Sequence, residues 1–120
     1  MNLWGKSKST LLNFRQKMNR GMRVVWIKKG NALAQKGKYQ EAIVCYDAVI
    51  AEDPENPMAW SFKAGVLLNL EQVEKSRDAY RKFVKYAKPE HAKYVTQAKD
   101  LIHDLDGILK KARSSRLRKA

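Results

Sequence analysis

Two histidines, one cysteine and a few adjacent carboxylates are the side chains here from which catalysis or metal binding would have to be built. His91 and His103 are twelve positions apart, about 18 Å along one helix at 1.5 Å per residue, and on different faces. No cysteine lies near either of them, so no metal set is readable. Cys45 stands between Val44 and Tyr46, with no basic neighbour in sequence to lower its pKa, which predicts a buried, inert thiol. A lone cysteine also excludes an internal disulfide. The glycines are scattered singly, so no loop is made to cradle phosphate. Glu52 and Asp53 fall at a predicted helix end and read as solvated surface. The expectation is a protein that is not an enzyme, with no cofactor and no metal.

Charge is the second kind of chemistry on offer. The chain has 120 residues, 25 Lys plus Arg against 12 Asp plus Glu, and a formal net charge of +13. Residues 1–29 hold eight cations and no acid, and residues 110–120 hold six more, Lys110, Lys111, Arg113, Arg116, Arg118 and Lys119, again with no acid. Between them the chain is nearly neutral. Blocks of like charge at the ends of a chain act as interaction arms or as solubilising tails. The six C-terminal cations are candidate contacts for nucleic acid or an acidic partner, with Ser114 and Ser115 as small hydrogen-bonding interruptions. No aromatic residue interleaves them, so base stacking is not indicated. The basic N-terminal stretch also admits a mitochondrial-type targeting segment. The longest apolar runs are about five residues, far below the roughly 20 that span a bilayer. A hydrophobic fraction of 44% is that of a globular chain, so the expectation is a small, soluble, cytoplasmic protein.

The elements that position these groups follow from a repeat. Trp26 and Trp60 are 34 residues apart, as are Gly30 and Ala64, Leu33 and Leu67, Ala42 and Ser76, and Tyr46 and Tyr80. The same register continues from Trp60 to Tyr94, Ala64 to Ala98 and Leu67 to Leu101. Within each period, apolar residues at i, i+4 and i+7 mark two helices. Gly37 sits where the first must end in a left-handed residue. Asp53-Pro54 stops the second helix, and Asn56-Pro57 starts the third with an N-cap and a proline in the first turn. Helices are predicted near 23–36, 39–52, 57–70, 73–87 and 90–111, with a short one near 10–19. Small residues at Gly30, Ala42, Ala64 and Ser76 are placed where the helices of a pair cross. The aromatics Trp26, Tyr46, Trp60 and Tyr80 are placed in the space between pairs. Neither helix of a pair can bury its stripe alone, so successive pairs must stack.

The pattern resembles the tetratricopeptide repeat. The first unit, 23–56, carries Trp26, Gly30, Leu33, Ala42, Tyr46 and Pro54, and departs from the family pattern at Lys29 and Val49. The second, 57–90, carries Trp60, Ala64, Leu67, Ser76 and Tyr80, with Phe83 in place of a small residue and Pro89 one position late. The third fits only through Tyr94, Ala98 and Leu101, and is predicted to be a capping helix over 91–112 with Asp104 and Asp106 on its exposed side. Residues 1–22 form a basic N-terminal segment and 113–120 a basic tail. The resemblance implies an all-α fold of antiparallel helix pairs stacked as a short right-handed solenoid.

It also implies a concave groove lined by the first helix of each pair. Carried onto this chain, the groove positions are Val24, Ile27, Lys28, Asn31, Ala34 and Gln35, then Met58, Ser61, Phe62, Gly65, Leu68 and Asn69. Ala92, Val95, Thr96 and Lys99 follow from the third unit, and Leu68 also admits a place in the interhelix core. Family members that clamp an acidic C-terminus do so with two Lys, two Asn and an Arg. Here only Asn31 fits, because Ile27, Phe62, Ala92 and Thr96 occupy the other places. The implied groove is apolar and suited to a peptide or amphipathic helix, supplied by another protein, by this chain's own N-terminal stretch or by a second copy. Two function classes remain: a protein-interaction adaptor or scaffold working through the groove, or an accessory protein held on RNA, DNA or a ribonucleoprotein by its basic ends. Attachment to an acidic membrane surface is a third.

Overall fold

The computed structural model describes residues 18–119. The short helix expected near 10–19 therefore falls largely outside the described residues; Met18 and Asn19 are not helical.

Helix α1 spans Arg20–Gln35, and its N-cap Asn19 accepts the Met22 backbone N–H at 2.9 Å. Helix α2 spans Tyr39–Glu52. Helix α3 spans Pro57–Asn69; Asn56 caps it by accepting the Ala59 N–H at 3.1 Å, with Pro57 in the first turn as predicted. Helix α4 spans Val73–Tyr86. A single 3₁₀ turn, Pro89–His91, leads into the long helix α5, Ala92–Lys119. Each helix packs against the next, and α1 also touches α3. The fold is all-α, as expected.

The turns within the two pairs are the same motif built from different residues. After α1, the Lys38 N–H donates to Leu33 O at 2.9 Å and the Gly37 N–H to Ala34 O at 3.0 Å. After α3, Gln72 donates to Leu67 O and Glu71 to Leu68 O, both at 2.9 Å. These paired bonds close the last helical turn and demand a left-handed residue between them. Gly37 supplies it at φ 77°, whereas Glu71 adopts φ 60° with a full side chain.

The small residues do lie at the crossings: Ala42, Ala64 and Ser76 are each 0% exposed, and Gly30 is buried. Ser76 Oγ donates to the Ala64 carbonyl at 2.7 Å, so the one buried polar side chain there is satisfied. The aromatic expectation needs correction. Only Tyr46 is fully buried; Trp26, Trp60 and Tyr80 are half-buried. The Trp60 indole N–H donates to the Pro54 carbonyl at 2.7 Å, which holds the ring at the edge of the core. Trp26 lies in the first pair, with no preceding described pair to cover it. Lys29 and Lys63 lie over Trp26 and Trp60, 5.1 and 5.5 Å from the rings, one turn along in each case.

The end of the chain also differs from expectation. Helix α5 runs on to Lys119, so the basic residues expected as a tail are helical. No Pro or Gly interrupts 108–119, and cations at a helix C-terminus complement its dipole. Asp104 is exposed as predicted, but Asp106 faces α4. Its carboxylate accepts from Arg77 at 3.3 Å and from Arg81 at 3.2 Å. Burial opposes the charge on Arg77, but hydrogen bonds and attraction from Asp78 and Asp106 outweigh it and hold the guanidinium pKa above its ordinary value.

Candidate functional site

The residues singled out for chemistry have structural surroundings. Cys45 is buried with a free thiol. His91 lies in the 3₁₀ turn, not on a shared helix with His103; its Nδ1 accepts the Lys88 N–H at 3.1 Å, and its ring lies beside Phe83. The His103 side chain is fully on the surface. Asp53 is not simply solvated, since Arg23 Nε lies 3.8 Å from its carboxylate. Among the described residues, no cluster of three or more His, Cys, Asp or Glu side chains is arranged to hold a metal ion. No helix among them is long and apolar enough to cross a membrane.

The surface between α1 and α3 holds two depressions. The one at the N-terminal ends of these helices, about 320 Å³, is lined by Val24, Ile27 and Met58 together with the charged Arg20, Arg23, Lys88, Asp53 and Glu55. The one at their C-terminal ends, about 450 Å³, is lined by Asn31, Ala34, Gln35, Ser61, Phe62, Gly65 and Asn69. Ten of the positions expected to line a groove thus gather in two places, because both helices repeat the same face at a 34-residue interval. Lys28 is exposed and Leu68 half-buried, and neither borders a depression. Ala92, Val95, Thr96 and Lys99 border neither as well.

Two residues of the C-terminal depression come from the second helices and were missed by sequence reasoning: Tyr46 and Tyr80. The Tyr46 ring lies on Gly30 and stacks against Phe62, centroids 6.1 Å apart and planes 23° from parallel. Its hydroxyl donates to Asn31 Oδ1 at 2.5 Å. That bond engages the Asn31 carbonyl and leaves its NH₂ group to donate elsewhere. Burial, with a smaller contribution from Cys45, pushes the Tyr46 pKa up to about 12, so at neutral pH the phenol is a donor. Burial raises the Tyr80 pKa as well. In the second repeat the residue equivalent to Asn31 is Gly65, so the amide that meets Tyr46 has no counterpart at that position; the Tyr80 hydroxyl lies 3.7 Å from where a Cβ on Gly65 would stand. The signal for both tyrosines was in the sequence as a 34-residue aromatic pair, but a helix stripe does not reveal that a phenol on one helix reaches past the next.

Among the described residues, none that lines this C-terminal depression is charged. Its donors and acceptors are amides, a serine and phenols over an aromatic and glycine floor, the composition that binds neutral polar backbone and apolar side chains. The face beside the Trp60–Lys63 pair holds a further depression of about 450 Å³, whose lining includes Ile43, Leu67 and Ala79, with Lys63 2.6 Å from Asp47.

The six C-terminal cations are all exposed. Lys110, Lys111 and Arg118 share one shallow face of α5 with Gly107, Ser114 and Ser115, while Arg113, Arg116 and Lys119 lie off it.

Residues 27–92, over half of the chain, match the family profile described as tetratricopeptide repeat.

Proposed function

Because the chain belongs to the tetratricopeptide-repeat family, whose repeats generally mediate protein–protein interaction, we propose that it is a non-catalytic cytoplasmic adaptor that holds an apolar peptide or amphipathic helix between α1 and α3. The observation that carries this reading is the uncharged depression around Phe62. Apolar surface is offered there by Phe62 and Ala34, and hydrogen-bonding groups by Asn31, Gln35, Asn69 and Tyr80. Ile27 and Met58 add an apolar contact at the other end of the same two helices. A bound segment would place one apolar side chain near Phe62 and another near Met58, with backbone groups meeting the amides.

The test is one variant that fills the site and one that empties it. Gly65→Asn rebuilds opposite Tyr80 the amide that Asn31 presents to Tyr46. A Cβ fits at this position in ordinary contact, so stability should hold while the depression is occupied. Peptides selected from a displayed random library against the full chain should then bind the variant at least tenfold more weakly. Phe62→Ala should cost those peptides on the order of 2 kcal/mol, about thirtyfold. Selected peptides that bind Gly65→Asn and Phe62→Ala as tightly as the parent chain would move the interaction off this face.

A further inference from the structure

The last buried residue of α5 is Leu105, and α4, the helix it packs on, begins at Val73. Arg77 pairs with Asp106 near that beginning, so the residues beyond Leu109 pass the end of the body. Residues 110–119 extend about 15 Å at 1.5 Å per residue. They contain six cations, no acid, and only Ala112 and Leu117 as apolar residues. None of the six forms an ion pair among the described residues.

The placement of these cations around the helix matters more than their number. At roughly 100° per residue, Arg113 and Arg116 lie on the side that carries Leu105 and Leu109. Lys110, Lys111 and Arg118 lie on the opposite side, on the face they share with Gly107, Ser114 and Ser115, and Lys119 lies with Arg113 and Arg116 off that face. Like charges also recur one turn apart, at 110 and 113, 113 and 116, and 116 and 119, an arrangement that opposes the helix until anions neutralise it. A flat acidic surface neutralises one side only. A lipid surface would further need an apolar face, which Ala112 and Leu117 do not make. Cations on opposite sides of one helix are neutralised together when the helix lies between two walls of negative charge.

We propose that the projecting end of α5 is a nucleic-acid arm that lies in the major groove of duplex DNA, held by phosphates on both walls. The major groove of B-DNA is about 12 Å wide and admits an α-helix, whereas the A-form RNA groove is too deep and narrow. The contacts are made to phosphate by Lys and Arg, with Ser114 and Ser115 as hydrogen-bonding groups of a size that lets the backbone approach. Such contacts position the helix without reading sequence. The arm stands independently of the α1–α3 face.

The test uses the full chain and a short, labelled, mixed-sequence B-form duplex, with fluorescence anisotropy followed across salt concentrations. Each phosphate contact contributes about −0.9 to the slope of log affinity against log salt. The double variants Arg113→Gln with Arg116→Gln, and Lys111→Gln with Arg118→Gln, should each flatten the slope by roughly 1.8. Circular dichroism should show both variants still helical. The proposal is overturned if only one pair matters, as a one-sided contact requires. It is overturned if neither pair matters, because the cations elsewhere in the chain then carry the binding. It is also overturned if duplex RNA or phosphatidylserine vesicles bind more tightly at the same salt.

Discussion

A β-carbon on Gly30 would stand 2.6 Å from Cε1 of Tyr46. The tyrosine is 1% exposed, with its hydroxyl tied to Asn31 and its ring against Phe62, so it has nowhere to retreat. The absence of a side chain at one position on α1 therefore sets where the aromatic floor of the candidate groove lies.

Gly30→Leu should destabilise the protein by about 1–3 kcal/mol or more through overpacking, even though leucine favours the helix over glycine by roughly 0.8 kcal/mol. Thermal unfolding followed by circular dichroism measures this. An unchanged midpoint would mean that α1 and α2 separate there without cost.

The two pair-closing turns predict changes of opposite sign at equivalent positions. Glu71 holds φ 60° with a side chain, and Gly37 holds φ 77° without one. Glu71→Gly should stabilise by about 0.5–1 kcal/mol, and Gly37→Ala should destabilise by about 1 kcal/mol. Denaturant midpoints of the two variants should move in opposite directions from the parent.

Alkaline pH should weaken the fold through Tyr46. Its pKa is raised from 10.0 to about 12 by burial, so above pH 10 the unfolded chain releases this proton before the folded chain does. The contribution is fully present below pH 10.0 and is lost as pH rises toward about 12. Tyr46→Phe removes this contribution, and stability measured over that interval should fall less steeply than in the parent. Equal slopes would show that the phenol titrates alike in both states.

Asp106→Asn should loosen α5 from α4 by removing the charge shared by Arg77 and Arg81. Asp106 is partly exposed, so the loss is modest, on the order of 1 kcal/mol. Hydrogen exchange should quicken in α5 and the facing part of α4 while α1 and α2 keep their protection. Uniform quickening through all five helices would mean that the pair stabilises the whole domain rather than this contact.

What the sequence determined by itself was everything carried by local spacing. The 34-residue interval, the Asn56 cap with Pro57, the left-handed Gly37 and the small residues at the crossings were all legible, because each is a short-range consequence of helix geometry. The faces that α1 and α3 turn to one another were legible to the same extent, because the two helices repeat one pattern at a 34-residue interval. Tertiary structure decided which side chains from other helices join those faces. Tyr46 and Tyr80 enter the C-terminal depression from α2 and α4, Asp106 turns to Arg77 and Arg81, and Trp26 and Trp60 remain half-buried. Periodicity reports the direction a residue takes from its own helix axis. It does not report how far a long side chain reaches across to the next helix, nor whether another helix is there to cover it.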